Sequence, residues 1–284
     1  MKTWPGILLA SSLLTACGAR TGLDAPPLDL VEVGPLPSYC GGVADTSIYV
    51  VTDQNELLRF DPPSAAFSSI GALQCPVTAG SGATPFSMAV DYQGTAYSVF
   101  SDGELFAVST ASASCVGTSP SIDTSAFTPT FGMGFSADPG GLGETLFVAS
   151  TASPGQLGTL DTSSFVAQPV GTFSSDIGEA ELTGTGDGRV FAFGVVPGMA
   201  GAHLSELDRV DALVLSDTIV PTPQDPMAWA FAFWGGDFYF FTSVDGATST
   251  VGRYHPADGS FDPAYAALPS GAITGAGVST CAPR

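Results

Sequence analysis

Along this chain, short runs of alternating apolar and polar positions are broken by Gly and Asp turns. The clearest occupies residues 85–110, where FSMAV, TAYSVF and ELFAVST are separated by Gln93-Gly94 and Asp102-Gly103. Alternation bounded by such turns predicts antiparallel strands in a meander. The pattern recurs along the chain. Its second strand is read as SIYVV (47–51), TAYSVF (95–100), TLFVAS (145–150), VFAFGV (190–195) and DFYFFT (237–242). These segments carry the β-branched and aromatic residues that suit a pleated, packed surface. The third strand ends in turn at Asp61, Ser109, Asp161, Asp208 and His255. A short acidic side chain before a Ser/Pro turn bonds backbone N–H groups, so Asp61, Asp161 and Asp208 are expected as turn caps.

A first strand precedes the second near Met88, Met133, Leu182 and Phe231. The unit beginning at Cys40 lacks one, while an unpaired copy, TGAGVST at residues 274–280, follows the last complete unit. A missing strand at one end and a spare at the other predict circular closure. With a period of about 45–50 residues, the expectation is an all-β, five-bladed β-propeller with one blade built from both chain ends. The alternatives are a six-bladed ring, which needs another unit, and a β-sandwich, which does not account for the spare strand. Blades pack on both sides, which fits the two-faced apolarity of AWAFAFW (228–234). Phe231, Phe233, Trp234, Tyr239, Phe240 and Phe241 are therefore expected in the core between blades.

Composition narrows the function classes. Charged residues are 12% against 44% hydrophobic, which excludes a disordered chain. The 27 acidic and 7 basic residues give a net charge of −20. Without a basic stripe, nucleic acid is excluded as a partner, and an anionic membrane surface repels the domain itself.

The amino terminus points elsewhere. Lys2 precedes the apolar stretch GILLASSLL (6–14), too short to span a bilayer. It ends in Leu14-Thr15-Ala16-Cys17, which resembles the lipobox of bacterial lipoproteins. The resemblance implies a signal peptide over residues 1–16, cleavage before Cys17, and acylation of that residue's thiol and new amino group. Several acyl chains anchor stably where one is marginal. Gly18 stands where Asp favours inner-membrane retention in many such proteins. The resemblance therefore implies the outer membrane or cell surface, with the membrane a partner through the lipid. Residues 17–39, rich in Pro and Gly, read as a tether reaching roughly 25 Å, followed by the propeller at 40–284.

Four further cysteines, Cys40, Cys75, Cys115 and Cys281, predict two disulfides in an exported domain, with three connectivities possible. The ring selects one of them. Cys40 and Cys281 flank strands of the shared blade, and Cys75 and Cys115 lie near the outer strands of adjacent blades. No CxxC or histidine cluster accompanies them, so a metal site is not expected.

No nucleophile elbow, HExxH or phosphate-binding loop occurs, no catalytic residue is assigned and no cofactor is expected. His203 and His255 are expected in structural or solvated roles. The residues entering inner strands are Phe86, Phe131, Glu179, Glu181 and Trp229, with Asp176 just before one of them. They are the candidate ligand-binding residues, on a face where loops carry function. Glu179 and Glu181 stand where other units carry apolar or small residues. The leading expectation is a non-catalytic cell-envelope module that binds protein or glycan. The alternative is a glycoside hydrolase or lyase using Glu179, Glu181 and Asp176.

Overall fold

The computed structural model describes residues 37–41, 46–78, 80–118, 120 and 127–284. The strands run in chain order. First come β1 (Ile48–Thr52), β2 (Glu56–Asp61) and β3 (Ala66–Ala72). The next four are β4 (Pro85–Val90), β5 (Thr95–Phe100), β6 (Leu105–Ser109) and β7 (Cys115–Gly117). They are followed by β8 (Phe131–Ala137), β9 (Glu144–Ser150), β10 (Gln156–Leu160) and β11 (Ala167–Thr172). The fourth group is β12 (Glu179–Gly184), β13 (Val190–Val195), β14 (Ala202–Leu207) and β15 (Val214–Val220). The last strands are β16 (Ala228–Trp234), β17 (Asp237–Ser243), β18 (Ser249–His255), β19 (Ser260–Leu268) and β20 (Ile273–Gly277).

They form five four-stranded sheets, one of them ordered β20-β1-β2-β3. The inner strands contact one another in the cycle β20, β4, β8, β12, β16 and back to β20. This is a five-bladed β-propeller whose first blade takes its inner strand from the chain's end. β20 pairs antiparallel with β1, Val50 opposite Ala276. The disulfide Cys40–Cys281 joins the two ends, with Cα atoms 5.4 Å apart. The second disulfide, Cys75–Cys115, ties the segment after β3 to β7 of the next blade.

Alternate residues of each strand serve opposite neighbours, so every interface between blades has its own apolar cluster. Tyr97 and Val99 of β5 pack with Phe135 and Val148 of the third blade. Ala96 and Phe100 of the same strand pack with Tyr49 and Val51 of the first. Between the fourth and fifth blades, Phe191 and Phe193 meet Phe231, Phe238 and Phe240. Trp234 is only partly buried against the cluster that holds Tyr239 and Phe241; its indole N–H donates to Thr46 O at 2.8 Å. Each fully buried side chain of this size contributes roughly 1.5–3 kcal/mol.

The ring is tight at its axis because glycine lets inner strands meet backbone to backbone. A Cβ on Gly132 of β8 would lie 2.1 Å from Ala180 O of β12, and one on Gly275 of β20 would lie 2.7 Å from Met88 N of β4. The third-strand aspartates cap turns as expected. Asp161 accepts from the Ser163 and Ser164 backbone N–H groups at 3.0 and 2.7 Å, and Asp208 from Val210 at 2.7 Å. Asp61 accepts from the Ser64 N–H at 3.3 Å.

Candidate ligand pocket on the loop face

Four inner strands begin around one concavity of about 170 Å3, lined among others by Phe86, Glu179, Glu181, Met227, Trp229 and Thr274. Turns between second and third strands complete the wall through Ser101 and Thr151. The strand register explains which residues reach it. In β12 the ladder to β13 is unbroken, Glu179 opposite Val195 and Glu181 opposite Phe193, so the two carboxylates share a face two residues apart. In β4 the register shifts between Pro85 and Ser87, leaving Phe86 outside the ladder to β5.

Glu181 forms the floor and is 5% exposed. The Ser87 hydroxyl of β4 donates to its Oε2 at 2.6 Å, and the same Oγ accepts from the Met133 N–H of β8 at 3.2 Å. Glu181 of β12 thus links through Ser87 to β4, and Ser87 links on to β8, beneath the pocket. Burial pushes its carboxyl well above the ordinary range, against the opposing pull of the Ser87 and Met133 hydrogen bonds. A desolvated carboxyl keeps its proton because the charged form loses more in leaving water. Glu179 stands at the rim, exposed to solvent. Met227 is 69% exposed, and the buried Thr274 Oγ1 has no hydrogen-bond partner.

Two of the sequence candidates lie elsewhere. Phe131 is 1% exposed and belongs to the core between the second and third blades, with Phe127 and Met133. Its strand pairs without a bulge, Phe131 opposite Ser150, and so lacks the irregularity that frees Phe86. Asp176 caps its own loop, accepting from Gly178 N at 3.0 Å and Ser153 Oγ at 3.3 Å. It does not line the pocket, and the three carboxylates are not assembled. Met227 and Thr274 were missed. Met227 sits in an irregular loop before β16, and nothing in its local pattern marks it. Cys17 lies outside the described residues.

The opposite face carries a second, partly buried carboxyl. Glu144 accepts from the Tyr92 backbone N–H at 2.8 Å and from Thr280 Oγ1 at 2.6 Å. Tyr39 OH lies 3.0 Å from the same Thr280 oxygen, and its ring packs 4.5 Å from that of Tyr92. Burial pushes the Glu144 carboxyl up to about 7, with Asp91 and Asp138 adding smaller like-charge repulsion. Each histidine is held by an aspartate: His203 Nδ1 lies 2.8 Å from Asp217, and His255 Nδ1 2.7 Å from Asp237. Among the described residues no cluster of three His, Cys, Asp or Glu side chains is arranged to hold a metal ion.

Five four-stranded blades, a shared closing blade and a pocket where inner strands begin define a β-propeller with one concave loop face. No protein-family model and no curated protein matches the chain. Among solved structures it resembles hydrazine synthase of Kuenenia stuttgartiensis at 13% identity, over 82% of this chain and 68% of that one, with a TM-score of 0.42. A protein of unknown function from Bacteroides caccae matches at 11% identity over 76% and 72%, TM-score 0.40. TolB from Acinetobacter baumannii matches at 12% over 78% and 53%, TM-score 0.42. Identities this low carry no residue role across to this chain.

Proposed function

We propose that the protein is a lipid-anchored envelope module whose propeller binds a protein or glycan partner, without catalysis, through the loop face. The observation that carries this reading is the division of labour between the faces. The pocket opens where inner strands begin, while the first described residues pack on the other side: Ser38 Oγ donates to Gly141 O at 3.1 Å, beside the turn that follows β8. A tether leaving from Pro37 toward an acylated Cys17 directs the pocket away from the membrane. The acidity of the chain agrees with a domain held off the bilayer, since anionic lipid repels it. Two measurements test the proposal. Cys17→Ser is expected to release the protein from membranes, and continued partitioning refutes the anchor. Trp229→Ala is expected to abolish retention of an envelope-extract or glycan-array ligand that the parent protein retains; unchanged retention refutes the pocket's part.

A second reading, a glycoside hydrolase or lyase, draws on Glu179 and Glu181 lining one pocket. Against it, Glu181 is held by Ser87 and Asp176 stands apart. Glycan cleavage lost in both Glu179→Gln and Glu181→Gln would favour this reading over the first.

A further inference from the structure

The proposed binding role leaves open what the pocket accepts, and its lining restricts the choice. Among the described residues, no Lys, Arg or His side chain contributes to it. The polar groups are two carboxyls and the Thr84, Ser101, Thr151 and Thr274 hydroxyls, to which Phe86, Trp229 and Met227 add polarisable apolar surface. Thr274 Oγ1, at the pocket wall, has no hydrogen-bond partner. Glu179 places a carboxylate at the mouth. An anion finds no positive charge among these groups. About 170 Å3 falls short of the roughly 300–1,000 Å3 of a site for a whole small molecule, so the guest is one terminal group rather than an extended saccharide. The whole-chain charge of −20 raises the local concentration of cations at such a cleft.

We infer that the pocket receives a single alkylammonium group, the end of a lysine side chain on a partner protein, with Glu179 as counter-ion and Trp229 and Phe86 as aromatic neighbours. This rests on the binding reading above and sharpens it from protein or glycan to a lysine-bearing protein. Aromatic rings attract a cation through their quadrupole, and the Glu179 carboxylate with the hydroxyl oxygens around it can accept from the three N–H donors of an ammonium. The partner is a different chain. Lys2 is the only lysine in this sequence, and it lies in the segment expected to be removed as a signal.

The test follows the Met227 methyl resonance of the purified protein during titration with n-butylammonium chloride, acetyl-Gly-Lys-Gly-amide, its norleucine counterpart and methyl β-glucoside. Saturable shifts with butylammonium and the lysyl peptide are expected, weakening as salt rises. The norleucine peptide is expected to bind at least about tenfold more weakly, and Glu179→Gln to lower ammonium affinity by about threefold to thirtyfold. Equal binding of the lysyl and norleucine peptides overturns the inference. Binding of butylammonium but not the lysyl peptide removes lysine as the source and leaves a free amine. A shift with methyl β-glucoside alone overturns the ammonium inference while the glycan form of the binding reading stands. No shift with any ligand overturns the inference and removes this pocket from the proposed function, leaving only the surrounding loops.

Discussion

The two faces of this ring each hold a desolvated carboxyl, buried at Glu181 and partly buried at Glu144, yet the two are built differently. On the loop face, Glu181 is held by Ser87 from another inner strand, and space remains above it. On the opposite face, Glu144 is bonded by Tyr92 and Thr280, while Tyr39 covers Thr280 and Cys40–Cys281 fastens both chain ends beside it. Desolvation raises both groups. What differs is the use of the surroundings. Both carboxyls border a concavity, about 170 Å3 at Glu181 and about 220 Å3 at Glu144. The first is walled by Phe86, Trp229 and Met227 where inner strands begin, and the second lies beside segments tied by Cys40–Cys281, so a ligand is expected at the first and stability is set at the second.

The largest effect expected is at the closed face. Replacing Cys40 and Cys281 by Ser frees a loop spanning 241 residues and is expected to cost up to about 5 kcal/mol in denaturant unfolding. Binding at the open face is expected to survive in the fraction that remains folded. Loss of stability below about 1 kcal/mol would show that strand pairing alone closes the ring.

Glu144→Gln is expected to raise stability, by an amount that depends on pH. The folded-state carboxyl titrates near 7 and the unfolded one near 4.5, so the folded protein holds a proton that the unfolded chain has released. Stability therefore falls as pH rises from about 4.5 to 7, by up to about 3 kcal/mol. The glutamine variant is expected to match the parent near pH 4 and to exceed it by that order at pH 8. Thermal unfolding across that range checks it, and a gain independent of pH would sink the assignment.

Gly132→Ala tests the axis that both faces share. The added methyl meets Ala180 O, and a loss of about 1–3 kcal/mol is expected for overpacking at this contact. An unchanged unfolding midpoint would mean that the inner strands separate without cost. The smallest effect belongs to the open face. Glu179→Gln, at the exposed rim, is expected to alter stability by less than about 0.5 kcal/mol. A larger loss would make Glu179 a structural group and blur the contrast between the faces.

Much of the scaffold was legible from local pattern. The second-strand segments match β1, β5, β9, β13 and β17 to within a residue, because alternation and aromatic content act along the strand. The spare segment at 274–280 supplied the closing strand β20, which ends at Gly277 where the chain turns toward Cys281. The candidate site was legible only in part. Phe86 and Phe131 occupy equivalent places in their repeats, yet a bulge brings one to the pocket and regular pairing sends the other to the core. Glu179 and Glu181 were marked as departures from the repeat. Their difference in depth was not, because it depends on Ser87 reaching from another blade.

The sequence by itself determined the strand period, the circular closure and the disulfide pairing that closure selects, since each follows from order along the chain. Only the tertiary structure decided which carboxyl lies beneath the pocket, which aromatic lines it and how Glu144 ties the second blade to the segment after β20. Those outcomes rest on desolvation and hydrogen bonds between residues 46 to 136 apart in sequence, and no local pattern carries that information.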